Sequence, residues 1–149
     1  DAEDVGSILP LVYLPESNTV SLIYRLDDGS LQERRSVDHG PLTKAVTVTD
    51  RAVVQNAVDA DQTGADAIAA GESVHVLFID EATRQLYHAR RGAGGDWSAP
   101  VRQTESIDAQ WVRGSRLVHD GRAVLGYVFD AGSDGGSGRN RYAEIALDD

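Results

Sequence analysis

A chain of 149 residues, 41% of them hydrophobic, carries 24 acidic against 14 basic side chains, for a formal charge of -10 and an isoelectric point near 4.7. Lys44 is the single lysine and the arginines are dispersed among acids, so the basic track that a nucleic-acid backbone needs is missing and no nucleic acid is expected as a partner. No run approaches the roughly 18 apolar residues of a membrane helix, so no membrane span is expected, and the lack of cysteine removes disulfides and thiolate chemistry.

The chain begins at Asp1 and holds no methionine. Removal of a preceding segment by proteolytic processing is therefore expected, and a cleaved leader would place the protein outside the cell or in the periplasm. From the N-terminus, "ILPLVYL" reads as a short strand and "PESNT" as a turn. "VSLIYRLDDGSL" from Val20 reads as a longer strand with an aromatic near its centre, and "LQERRSV" as the next. The order then recurs. "DAIAA", the turn "GES", "VHVLFIDEATRQL" from Val74 and "QLYHARR" follow, and after them "VRGSRLVH", the turn "DGR", "AVLGYVFDAGSD" from Ala123 and "NRYAEIAL". The Gly and Asp in these turns supply the positive backbone angles of tight hairpins. The helical spacing of "ADAIAAG" is too short to make more than one turn, and no segment sustains the pattern of a long helix.

Stacking the three long strands aligns Tyr24, Phe78 and Tyr127, each followed within three residues by an aspartate: Asp27, Asp80 and Asp130. The aromatics stand 54 and 49 residues apart, in the range of propeller blades. The stretch "VDADQTGADAIAAGESVHVLFIDEATRQLYHARRGAGGDWSAPV" resembles a blade of the sialidase-like, BNR-type β-propellers, above all the divergent repeats of secreted bacterial proteins. The resemblance covers residues 57–101 well, 109–147 moderately and 5–55 loosely. Of the family's Asp-box turn only Gly94 and Trp97 match, while Arg90 and Gly92 stand where its serine and aspartate would be.

The expected fold is all-β: three four-stranded antiparallel blades, at about residues 5–55, 56–106 and 107–149, forming one partial propeller domain within a larger ring. A β-sandwich or barrel is the alternative. Because a propeller closes with roughly four to eight blades, another chain or copies of this one would complete the ring.

Four groups of residues carry candidate chemistry. Asp59, Asp61, Thr63 and Asp66 space oxygens like the start of a calcium loop, with Gly64 at the turn, but Ala70 stands where an EF-hand has its bidentate glutamate, leaving an Asp-rich turn as the alternative. Trp97, Trp111, Tyr87 and Arg90 are candidates for stacking on a glycan, with packing between blades as the other role for Trp97. His75 and His88 fall on adjacent strands, where a cross-strand polar pair is expected, whereas His39 and His119 lack any metal-ligand spacing. The glycine-rich "DAGSDGGSGRN", with Asp130, Asp134 and Asn140, reads as a hairpin tip. Sequence and resemblance together lead to a secreted, non-catalytic binding or scaffold portion that contacts a glycan or a protein surface. The alternative is part of a sialidase-like glycoside hydrolase, for which Tyr142 and Glu144, with Arg113, Arg116 and Arg141, are the candidate residues.

Overall fold

The computed structural model describes residues 5–55, 64–103, 108–130 and 140–147. It is all-β, with twelve strands in three antiparallel sheets and no helix among the described residues. No helix there is long and apolar enough to cross a membrane.

The first sheet is built on β3 (Thr19–Leu26), with β4 (Leu31–Val37) and then β5 (Val46–Thr49) on one side. On its other side lie two short strands, β1 (Val5–Ile8) and β2 (Val12–Leu14). They divide the predicted strand "ILPLVYL" around Pro10, which has no backbone N–H to give to a ladder. The second sheet runs in the order β6 (Ala65–Ala70), β7 (Ser73–Ile79), β8 (Leu86–Arg91) and β9 (Val101–Arg102). β6 contains the small-residue stretch "ADAIAA", whose alanines let neighbouring sheets approach. The third comprises β10 (Val112–His119), β11 (Arg122–Asp130) and β12 (Asn140–Ala146). Tight hairpins join β6 to β7 and β10 to β11, and Gly71, Asp120 and Gly121 adopt there the positive φ that such turns require.

Successive side chains of a strand point to opposite faces, and β7 uses both. Val74, Val76 and Phe78 join a core shared with Ile23, Leu31 and Leu14 of the first sheet, while Leu77 and Ile79 join another with Leu125, Tyr127 and Phe129 of the third. The middle sheet is thus covered on both sides, which explains why "VHVLFI" is apolar almost without interruption. Its inner strand β6 lies against β2 on one flank and β10 on the other. Gly114 on β10 is part of that fit, since an added Cβ would lie 3.0 Å from Ile68 Cδ1 and from Leu77 Cδ1.

Register places Tyr24, Phe78 and Tyr127 at equivalent points on the same face of their strands, the face that Phe78 and Tyr127 turn toward the preceding sheet. The aspartates correspond less closely. Asp80 takes hydrogen bonds from the Thr83 N–H and hydroxyl, but in the first sheet Asp28 performs this office for Ser30, while Asp27 is exposed. Among the described residues, the first and third sheets each have one face that no other sheet covers.

Candidate functional site

Among the described residues a polar position recurs on the third strand of each sheet, on the face that the first two sheets turn toward the next. Ile23 pairs with Glu33, Leu77 with His88 and Gly126 with Glu144, so these three polar residues are equivalent. Two residues earlier on the second strand stand Ser21, His75 and Val124. The following sheet contributes the residue opposite Val74 or Ala123, which is Arg91 in one case and Leu147 in the other.

Between the first two sheets this place holds a closed ionic network. Glu33 is fully buried and Arg91 almost so. Arg91 Nε donates to both Glu33 carboxylate oxygens at 2.9 Å, and its Nη2 reaches Glu33 and the Ser21 hydroxyl. Ser21 donates to Glu33 at 2.6 Å, Arg35 at 3.1 Å and the Trp97 indole N–H at 3.0 Å. Burial alone would push the Glu33 carboxyl up, but the bonds from Arg91 and Ser21 outweigh it and hold the group below its usual range. The bidentate fork fits a carboxylate and fixes how the second sheet sits on the first.

Between the second and third sheets the same place is neutral. His75 Nδ1 and His88 Nε2 are 2.9 Å apart and the rings stack with centroids at 5.1 Å. Burial drives both to about 4, helped for His88 by His75 and for both by Arg90. Near neutral pH neither is charged, so one ring N–H donates to the other's lone pair. Asp66 secures this interface further along, accepting the Gly114 N–H at 2.8 Å and that of Ala67 at 3.0 Å. Burial raises the Asp66 pKa against those bonds.

On the open face of the third sheet Glu144 accepts from the Tyr142 hydroxyl at 2.6 Å and lies 2.7 Å from His119 Nδ1. A groove of about 950 Å³ runs beside it, bordered by His119, Arg122, Val124, Glu144 and Ala146. Tyr142 lies over Gly126, with its hydroxyl 2.8 Å from where a Cβ there would stand.

The residues singled out in the sequence are distributed among these places and do not form one site. Trp97 packs against the first core and serves Glu33, and Tyr87 stacks on Phe78 at 5.7 Å beneath the Arg51 guanidinium. Arg90 lies on the opposite face of β8 and Trp111 is half-buried just before β10. Of the calcium candidates, Asp59, Asp61 and Thr63 lie outside the described residues, and Asp66 gives its carboxylate to two backbone N–H groups. Among the described residues no three His, Cys, Asp or Glu side chains gather as metal ligands. Asp134 also lies outside the described residues. The hydrolase candidates divide between faces: Arg116 and Arg141 pair with Leu125 and Phe129 and so face the second sheet, away from Tyr142 and Glu144. Hydrogen bonding to Glu144 also pushes the Tyr142 phenol up, opposite to the activation of a nucleophile.

Glu33 and Arg91 were absent from the sequence reading, although one signal for Glu33 existed. It stands two residues after Leu31 and therefore shares that buried side chain's face. No protein-family model matches the sequence, and no curated protein does.

Proposed function

We propose that this chain is a three-blade arc of a sialidase-like β-propeller, a secreted and non-catalytic binding or scaffold portion that meets a glycan or protein surface once further blades complete the ring. The observation that carries the reading is the contrast between the middle sheet, buried on both faces, and its two neighbours, each open on one. Apolar side chains lie on those open sides: Ile8 is 61% exposed, Tyr13 52%, Leu117 40% and Tyr142 54%. Unpartnered sheet faces of this kind favour association.

Glu144 supports the same reading, because its counterpart Glu33 is captured by an arginine from the following sheet. An added blade that presents a guanidinium there would repeat the first interface. Blades from another chain or from copies of this one satisfy this geometry equally. The ring would give its target a rigid mount, with loops free to make contacts.

Substitution of an exposed residue on the open face tests the reading without entering the core. Leu117→Glu is expected to weaken the hold on the completing blades, so that the particle loses mass or the released 16.0 kDa chain precipitates. An unchanged particle mass would contradict it.

A further inference from the structure

The second interface lacks the arginine that fills the first. His75 and His88 replace Ser21 and Glu33, and Leu147 occupies the place of Arg91, its backbone N–H bonded to Ala123 O at 3.1 Å. A leucine sends no polar group toward the histidines. At the turn end of this interface a cavity of about 260 Å³ remains, lined among others by His75, Arg90, Arg116, Ser73, Glu72 and Leu147.

Its two arginines, unlike those of the first interface, meet no buried carboxylate. Arg90 enters from β8 and Arg116 from β10, so the two sheets that form the walls each contribute an arginine. No hydrogen bond or ion pair engages either guanidinium among the described residues. The acid in the lining, Glu72, is committed elsewhere, with one carboxylate oxygen 2.8 Å from the Glu16 N–H and the other 3.2 Å from that of Ser17. The His75–His88 bond uses one nitrogen of each ring, which leaves the other nitrogen of His75 for a further partner. In a chain of charge -10, two arginines at one cavity whose guanidinium groups have no partner among the described residues form a local exception.

We propose that this cavity binds a compact oxyanion, the carboxylate or phosphate end of a small ligand, held between Arg90 and Arg116 above His75. Planar guanidinium forks match such oxygens in paired hydrogen bonds. The cavity falls below the roughly 300–1,000 Å³ of sites that enclose drug-sized molecules, so it takes an anionic head and leaves the rest of the ligand outside. The site lies between two blades of this chain and does not depend on ring closure.

Thermal unfolding at low ionic strength, with inorganic phosphate or acetate against chloride of matched ionic strength, tests the proposal. Binding to the folded state alone should raise the melting temperature by roughly 3–5 °C at about ten times the dissociation constant. It should also move the His75 ring resonances. Protection by phosphate alone identifies a tetrahedral anion, and protection by acetate as well identifies a carboxylate as sufficient. Arg90→Gln with Arg116→Gln should abolish the rise, and because both side chains are exposed the double variant should fold as the wild type does. Glu72→Gln should retain it. The proposal is overturned if neither anion protects beyond chloride, or if protection survives in the double arginine variant.

Discussion

Arg91→Met should destabilise the chain by about 3–5 kcal/mol, because removing one partner of a buried ion pair leaves the other charge uncompensated. Glu33 is fully buried and would keep only Ser21, Arg35 and Trp97 as donors. Methionine occupies similar length but offers no proton to the carboxylate. Glu33→Leu combined with Arg91→Met should recover a large part of the loss, since two apolar side chains then meet where two charges did. A double-mutant cycle by urea unfolding would return this as a coupling energy of several kcal/mol between residues 58 apart in sequence. Additive losses would show that the network does not hold the first two sheets together.

Acidification should weaken the second interface before the first. In the folded chain His75 and His88 are lowered from 6.5 to about 4, so between those values the unfolded chain binds more protons than the folded one. The stability they contribute is present above about pH 6.5 and declines as pH falls toward 4. At about 1.36 kcal/mol per unit, each histidine costs between about 2 and 3 kcal/mol at pH 4.5 and the pair on the order of 5 kcal/mol, which for a chain of this size means a melting temperature lower by about 10–20 °C. Glu33 is lowered from its ordinary value of 4.5, so its contribution is lost only further into acid. His75→Gln with His88→Gln keeps polar groups at both positions and removes their titration. Its melting temperature should change much less between pH 7 and 4.5. An equal fall in wild type and variant would assign the acid sensitivity to other groups.

The strands and their repeat were legible because alternation and aromatic position are local signals. Tyr24, Phe78 and Tyr127 occupy equivalent points of β3, β7 and β11, and the turns at Gly71 and Asp120–Gly121 lie where turn chemistry predicted them. The outer strands were less legible. β9 has two residues, too few to show a period, although "VTVT" in β5 did alternate. The polar network was hidden for a different reason. "LQERRSV" and "YHARR" read as solvated strands, and only the packing of two sheets reveals that Glu33 and Arg91 complete one another. His75 and His88 were placed on neighbouring strands by sequence, while their neutrality follows from burial that no local pattern expresses.

The uncovered faces of the first and third sheets are what further blades of a larger ring would bury. If each face is covered on the order of several hundred Å², burial at about 25 cal/mol per Å² makes the contact part of the fold. Sedimentation of the native protein at micromolar concentration is the most direct measurement. The expected result is a particle heavier than the 16.0 kDa chain, formed with further blades from a partner or from copies, and precipitation when the chain is isolated from them. A soluble 16.0 kDa monomer with a single cooperative melting transition would contradict it.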